Sequence, residues 1–476
     1  MAKSHLFWET STLSLFENGF SLSRNMIFYV LCFLLLAHFS NSRQKVYNFG
    51  SKTPYSYEKS EEIKSDLPSH CKAIHVNLLA RHGTRHPSKR DVRRINTMVK
   101  VVNELYKSGS EFKFNSVEFP WMTPFKDDND KRLIARGEEE LYNLSKRVRN
   151  RYKDLFKSPL SIEDISFVST KTPRTLQSAM AFALGLMEGE GTLGSCKIRP
   201  VDIDSRDKEN DPILRFFDLC PKYKQTVSKN KSSLFEHHNF RDTLPMMQVV
   251  ERVRLKFGNS SVLTARHIVG MYVACVFEYA VFERDNTWCS VFTEEDFEVL
   301  EYYADLKHYW KRGYGHDINH EMACNLLAVI LGDIKNSLNV TSTTRKKGVF
   351  RFAHGETLQP LYCVLELFKE ADHMRADNFY EKSKRLYRLS EISPFGANIA
   401  FVVYNCSEGE SELDEESFQV DVLVNERPAS IPCCATGKCS LRKFFDCFEG
   451  IAKNCNMEAV CAVKESDGRR NNHSEL

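Results

Sequence analysis

The sequence predicts an α/β fold in which a mixed central sheet is flanked by helices and interrupted by a mostly helical insertion. From Lys72 onward, short apolar runs typical of strands alternate with runs of helical periodicity. Strand signals nearly vanish between about 205 and 345 and return at Val349, which indicates one domain with an insertion. With 476 residues, 42% of them hydrophobic, the chain is long enough for a substantial buried core.

The first part of the predicted core alternates strands with helices. The long second helix places Leu141, Leu144 and Val148 on one side, and Pro173 stands where the first turn of a helix tolerates proline. The predicted elements here are strands over 74–80 and 165–168 and helices over 92–106, over 136–156 and from Pro173.

The insertion and the returning strands follow. Thr293 with Asp296 three residues later predicts a capping box at the start of the third insertion helix. Helices are predicted over 244–257, 262–282, 293–310 and 358–368, and strands over 349–353, 399–404 and 418–424. An acidic stretch, 408–416, joins the last two strands. The predicted divisions are a leader over 1–42, a loose lead-in over 41–67, a core over 70–204 and 345–462, an insertion over 205–344 and a polar tail over 463–476.

Features at the N-terminus and the cysteine content indicate export. An uncharged apolar run over 26–37 has the length of a signal-peptide core, and a signal anchor is the alternative interpretation. The sequence leaves open whether translation starts at Met1 or at Met26. Setting aside Cys32 in this run leaves an even number of the 15 cysteines, and no zinc-type Cys/His spacing is present, so we expect disulfides. Asn-x-Ser/Thr sequons, such as the one at Asn143, favour a glycoprotein.

The most informative segment directly follows the first predicted strand and reads Arg81-His82-Gly83-Thr84-Arg85-His86-Pro87. Arginine presents a planar fork of donors that matches phosphate oxygens, and histidine can act as a neutral nucleophile that carries a phosphoryl group. Glycine allows a tight turn and close approach of a ligand. This pattern predicts a phosphate-binding site with a histidine nucleophile.

Two further strand-to-helix corners carry charged residues. Arg174 falls in the first turn of a helix, where free backbone N–H groups favour an anion, and His354-Gly355-Glu356 follows the strand that ends at Ala353. Because open α/β sheets bind ligands beyond the carboxyl ends of their strands, we expect these corners to meet the first motif. A lone arginine or a lone His-x-Glu is uninformative by itself. Both become informative here because the heptad, residues 81–87, independently predicts a phosphate site.

Taken together, these residues resemble branch two of the histidine phosphatase superfamily, the histidine acid phosphatases and phytases. The runs over 214–218, 288–292, 309–315 and 352–357 are similar to those of the multiple inositol polyphosphate phosphatases, and the resemblance covers roughly residues 68 to 430. It implies a histidine-phosphatase-like α/β core. It also implies hydrolysis of inositol polyphosphates, inositol hexakisphosphate included, and action on 2,3-bisphosphoglycerate.

The resemblance implies a role for each residue. His82 would be the nucleophile and Glu356 the proton donor, which requires a raised pKa. Arg81, Arg85, Arg174 and His354 would bind the phosphoryl oxygens. No metal or cofactor is expected, because the guanidiniums neutralise the phosphate. Gly355 stands where these inositol enzymes carry alanine, and the looser backbone predicts reduced or altered activity.

Two alternative functions stay open. A broad-specificity histidine acid phosphatase would carry His-Asp at the third corner, whereas this chain has His-Gly-Glu. A lumenal binding protein without turnover would be free to lose some of the site residues, and all are present.

The formal net charge of +3 does not favour nucleic acid, and no stable membrane span is expected. The C-terminal His473-Ser474-Glu475-Leu476 resembles a retention signal read by a receptor, which favours the endoplasmic reticulum lumen over secretion or the cell surface.

Overall fold

A mixed sheet of eight strands lies at the centre of the computed structural model, which describes residues 48–56, 67–339, 342, 344–407, 417–434 and 439–463. The strands are β1 (Lys72–Arg81), β2 (Ile165–Thr170), β3 (Asp204–Arg206), β4 (Gly348–Ala353), β5 (Asn398–Asn405), β6 (Phe418–Val424), β7 (Arg427–Pro428) and β8 (Cys439–Ser440). Their order is β3-β2-β4-β1-β5-β6-β7, and β8 pairs with β6. The predicted α/β fold with a mixed sheet is confirmed. The predicted leader and acidic stretch, and the C-terminal tail after Val463, lie outside the described residues.

The parallel half of the sheet brings three strand ends to one edge. Strand β4 lies between β1 and β2 and runs parallel to both, with Arg81 opposite Ala353 and Ser169 opposite Phe352. Strand β5 runs antiparallel to β1 and places Asn398 opposite Ala80. The carboxyl ends of β1, β2 and β4 are therefore neighbours, as the sequence predicts for its three corners.

Helices cover the sheet and account for its nearly continuous apolar strands. Every residue of β4 is buried, which is typical of a parallel strand covered on both faces. On one face, the ring of Phe350 packs against Phe167 and Phe182. The helices of eight or more residues are α1 (Lys89–Lys107), α2 (Ala135–Arg151), α3 (Pro173–Leu186), α4 (Leu244–Lys256), α5 (Ala265–Phe282), α6 (Glu294–Arg312), α7 (Cys324–Leu338), α8 (Gly355–Val364) and α9 (Leu441–Lys453).

Short elements fill the connections between the long ones. Short α-helices are Phe216–Leu219, Pro221–Tyr223, Phe235–Asn239, Ile318–Glu321, Leu389–Ile392 and Met457–Cys461. A π-helix spans Lys224–Ser228, and 3-10 turns are Gly50–Lys52, Asp127–Asn129, Ile162–Asp164, Ser232–Leu234, Phe240–Asp242 and Trp288–Val291. The capping box predicted at Thr293 is confirmed, because its hydroxyl accepts the N–H of Asp296.

Helix α5 is a buried core helix of the helical region, the part of the chain between β3 and β4. Among the described residues it alone is long and apolar enough to cross a membrane, but 67% of it is buried inside the protein. Gly270 permits this burial, since a Cβ there would lie 2.7 Å from Cβ of Met98 on α1. Burial at almost every position from Ile268 to Ala280 explains why α5 shows no polar face.

Several predicted boundaries differ from the structure. Helix α8 begins at Gly355 and ends at Val364, whereas the sequence predicts it over 358–368. Helix α2 ends at Arg151, where Tyr152 leaves the helical conformation, although its apolar spacing continues to Phe156. The predicted loose lead-in is wrong for residues 48–56, which pack against the rest of the protein. The division into a core and an insertion stays a prediction.

Six disulfides lie within the described residues, as expected for a protein that folds in the secretory pathway. Cys196 and Cys363 are free. The pairs are Cys71–Cys406, Cys220–Cys461, Cys275–Cys289, Cys324–Cys455, Cys433–Cys447 and Cys434–Cys439.

Candidate active site

His82 is buried at the end of β1 with one ring nitrogen held by the backbone. Its Nδ1 lies 2.9 Å from the carbonyl oxygen of Gly83, which can only accept, so Nδ1 carries the proton. Burial, followed by the charge of Arg174, holds the pKa of His82 well below its usual range. The ring is therefore neutral near pH 7, and the lone pair of Nε2 is available for attack on phosphorus.

Helix α2 supports the loop that carries His82. A Cβ on Gly83 would lie 2.1 Å from the carbonyl oxygen of Gly137, so the glycine permits close approach of a helix backbone. Packing against α2 is thus one reason for this glycine, and the expectation that it also lets a ligand approach stays a prediction. One turn further along α2, the buried Glu140 accepts from the backbone N–H of Thr84 over 2.7 Å and from its hydroxyl over 2.6 Å.

The two arginines of the heptad lie beside Phe395. Nη1 of Arg81 donates to the carbonyls of Ser51 and Ser393 over 2.5 and 2.8 Å, and its guanidinium lies 4.6 Å from the centre of the Phe395 ring. Arg85 lies 5.6 Å from the same ring. Burial, followed by the charge of Arg85, lowers the pKa of Arg81 to about 9, which leaves both arginines charged near pH 7.

His354 begins the turn after β4 and lies between two arginines. Its Nδ1 is 3.0 Å from Nη2 of Arg174, and its Nε2 is 3.0 Å from both Nη1 of Arg215 and the hydroxyl of Thr170. Burial and then Arg174 hold the pKa of His354 well below its usual range. A neutral imidazole has a single acceptor nitrogen, so both guanidiniums cannot be satisfied by this ring. The rings of His82 and His354 are 5.8 Å apart.

Among the described residues, three arginines of the site have N–H donors without a hydrogen-bond partner. Within the described part of the chain, the buried Nε atoms of Arg81, Arg85 and Arg174 have no hydrogen-bond partner. Buried polar groups without partners are rare and costly. An anion between these side chains would satisfy them, and a phosphoryl group has three acceptor oxygens to do so.

Glu356 lies in the first turn of α8, paired with an arginine that the sequence analysis assigned no role. Its Oε1 accepts from Nη2 of Arg312 over 2.5 Å. Burial raises the pKa of Glu356, but Arg312 and the other positive neighbours outweigh this and hold it well below its usual range. The prediction that Glu356 has a raised pKa is therefore wrong for the site without substrate.

The structure brings together His82, Arg81, Arg85, Arg174, His354 and Glu356, the six residues predicted for the site. The sequence analysis missed several polar residues that contact them. Arg215 and Arg312 lie within runs that the family resemblance had already marked, 214–218 and 309–315, but nothing in those runs indicated their contacts. Ser51 and Thr170 gave no sequence signal.

This arrangement defines a phosphate-handling histidine site on an α/β sheet, and comparison with known families agrees. The sequence profile of the Histidine phosphatase superfamily (branch 2) matches residues 73–425. The chain belongs to this family.

Curated relatives and solved structures cover most of the chain. Multiple inositol polyphosphate phosphatase 1 of Gallus gallus is 29% identical over 408 residues, which are 85% of this chain and 87% of the relative. The Homo sapiens protein of the same name is 25% identical over 415 residues, 84% of each chain. The phytase from D. castellii has a TM-score of 0.69 at 20% identity, over 88% of this chain and 87% of that one.

A second structural neighbour is a complex with inositol hexasulfate. The Bifidobacterium longum multiple inositol polyphosphate phosphatase in complex with inositol hexasulfate has a TM-score of 0.64 at 16% identity, over 81% of this chain and 94% of that one. At these identities the likeness shows the common fold.

Proposed function

We propose that this protein hydrolyses phosphomonoesters of inositol polyphosphates, inositol hexakisphosphate included, through a phosphohistidine on His82. The relatives named multiple inositol polyphosphate phosphatase support this substrate class. In this chain the observation that carries the proposal is a second group of basic side chains beyond those that bind the reacting phosphate.

This second group lies mainly on the last two turns of α6 and on α1. Arg312 pairs with Glu356, and Lys307 and Lys311 lie on the same helix, within one and a half turns of it. Burial, followed by the charges of four basic neighbours, lowers the pKa of Lys307 to about 7; these are Lys52, Arg312, Arg90 and Arg94. These positive charges repel one another. A substrate with several phosphates would neutralise many of them, whereas a monophosphate would leave most of the repulsion in place.

The reaction proceeds in two displacements. Nε2 of His82 attacks phosphorus, the ester P–O bond breaks, and the leaving alkoxide takes a proton from Glu356. The carboxylate then removes a proton from water, whose oxygen attacks phosphorus and releases His82. Arg81, Arg85, Arg174 and His354 stabilise the charge that spreads over the phosphoryl oxygens.

The low pKa of Glu356 requires a change on substrate binding. A phosphate that enters the site competes for Arg312 and brings negative charge close to the carboxyl. Both effects favour the protonated acid, so the donor form is produced when substrate is bound. Burial, which already raises this pKa, acts in the same direction.

Phosphate release separates this proposal from its alternatives. The wild type, His82→Ala and the matched control His70→Ala, an exposed histidine, are each incubated with inositol hexakisphosphate and with p-nitrophenyl phosphate. We expect release from both substrates by wild type and control, and none by His82→Ala. Release from the aryl phosphate alone would indicate a broad acid phosphatase, and equal release by all three would remove His82 from the mechanism.

We also propose residence in the endoplasmic reticulum lumen through His473-Ser474-Glu475-Leu476. The six disulfides support a secretory-pathway protein. Deletion of the four residues should raise the secreted share of the protein several-fold in transfected cells. Equal secretion of both forms would argue against retention.

A further inference from the structure

The segment 48–55 precedes the residues matched by the family profile and packs against the helical region through one aromatic side chain. The buried ring of Phe49 contacts the rings of Tyr279, Phe297 and Tyr272 edge-on, with centres 5.4, 5.8 and 6.3 Å away. Edge-to-face contacts of this kind add to the burial of apolar area. Phe49 therefore holds the start of the segment against α5 and α6.

The other end of the segment is held by the loop before β5, by helix α2 and by the turn between β6 and β7. The carbonyl of Thr53 accepts from the N–H of Phe395 over 2.9 Å. The N–H of Tyr55 donates to Oε1 of Glu140 over 3.1 Å, and its hydroxyl donates to Glu426 over 2.7 Å. Since Glu140 also binds the backbone after His82, the segment and the nucleophile loop share one support.

Between these two attachments the segment crosses the active site. The buried carbonyl of Ser51 accepts from Nη1 of Arg81 over 2.5 Å, and its hydroxyl lies 3.4 Å from Nε2 of His308 on α6. Gly50 has φ +53°, a left-handed conformation that a side chain would strain, and this turn directs the chain across the site. The next residue is Lys52.

Lys52 is half-buried among the charges of the site. Burial lowers the pKa of its ammonium, and the carboxylate of Asp91 partly opposes this. Three guanidiniums lower it further, those of Arg94, Arg85 and Arg81. The carbonyl of the preceding residue, Ser51, already contacts Arg81, so the backbone of Lys52 lies beside the arginines of the reacting phosphate. Of the neighbouring charges, that of Lys52 lowers the pKa of Lys307 on α6 most.

We propose that Lys52 is a substrate-binding residue that binds a phosphate of the substrate other than the one being hydrolysed. The Ser51 contact with Arg81 fixes its backbone beside the reacting phosphate, and Phe49 and Tyr55 fix the segment at both ends. The inference rests on the proposed function, because only a substrate with several phosphates has a group for Lys52 to bind.

The test compares two substrates on three variants. Lys52→Met removes the charge at similar length, Lys52→Arg keeps it, and Lys100→Met makes the same change at an exposed lysine of α1. For Lys52→Met we expect kcat/KM for inositol hexakisphosphate to fall about tenfold or more relative to the fall for p-nitrophenyl phosphate, mainly through KM, because a charge-assisted contact is lost. For Lys52→Arg, kcat/KM for inositol hexakisphosphate should lie within about threefold of the wild-type value. For Lys100→Met it should equal the wild-type value.

Thermal unfolding distinguishes a binding role from a structural one. Because Lys52 is surrounded mostly by positive charges, Lys52→Met should unfold at the same temperature as wild type or a higher one; a clear drop would overturn the inference. An equal fall for both substrates, or no fall, would also overturn it while leaving the proposed function intact. Failure of the wild type to cleave inositol hexakisphosphate would instead refute the proposed function, and this inference with it.

Discussion

Replacing Arg312 by glutamine is expected to move the alkaline limb of the kcat/KM–pH profile to higher pH. In the structure the guanidinium donates to Glu356 over 2.5 Å and keeps the carboxyl ionised. The carboxyl must be protonated to give its proton to the leaving alkoxide, so its pKa sets the pH above which the rate falls. Loss of Arg312 removes the charge that lowers this pKa, and the protonated form then persists to higher pH.

The size of the shift follows from the geometry of the pair. Opposite unit charges about 4 Å apart attract by about 4 kcal/mol at an effective dielectric constant of about 20. The Glu356 side chain is 36% exposed, so solvent screens the pair, and fully exposed pairs are worth about 1 kcal/mol or less. A value between these limits, about 1 to 2 kcal/mol, corresponds to about one pKa unit.

The assay follows kcat/KM across the acidic to mildly alkaline range with glycerol phosphate, whose alkoxide leaving group needs a proton. p-Nitrophenyl phosphate serves as the control substrate, because its phenolate leaves with little help and should show a much smaller shift. Arg375→Gln removes an exposed arginine that pairs with Asp377, and it should leave the profile in place. An alkaline limb at unchanged or lower pH in Arg312→Gln would refute this account of Glu356.

Three further substitutions test how the site is held. Gly83→Ala should lower kcat about 100-fold and the thermal midpoint with it, because its Cβ would lie 2.1 Å from the carbonyl of Gly137; wild-type kcat would contradict this close packing. Glu140→Gln should cost about 1–3 kcal/mol in urea unfolding and lower kcat more than it raises KM, since an amide nitrogen cannot accept the loop N–H; unchanged unfolding would count against it. Gly355→Ala should raise kcat if the glycine loosens the backbone, once Gln359, 3.1 Å from the new Cβ, shifts slightly; unchanged kinetics would dispose of that hypothesis.

The sequence predicted the parts of the fold that depend on local periodicity. Strand β1 reads as an apolar run because it is buried, and the start of α6 is set by a capping box between Thr293 and Asp296. The prediction of a loose lead-in failed for residues 48–56 because they have no periodicity of their own. They are held by Phe49 and Tyr55 contacts to elements far along the chain, and such contacts leave no local pattern.

The candidate site divides in the same way. Arg174 and His354 could be predicted to meet His82 because each follows a strand, and the carboxyl ends of parallel strands share one edge. Arg312 could not, because it reaches Glu356 from the end of a helix in the predicted insertion. The charge state of Glu356 depends on that contact, so its low pKa was beyond reach of the sequence.

The sequence by itself determined the family, the nucleophile and the arginines around it, since these residues are consecutive or follow recognisable strands. Only the tertiary structure decided what surrounds them: the Gly83–Gly137 contact, the pairing of Arg312 with Glu356, and the Ser51–Arg81 contact that brings the segment with Lys52 to the site. The physical reason is that chemistry is carried by residue types, which a sequence states directly. Electrostatic environment and close packing depend on distances between segments that are remote in the chain.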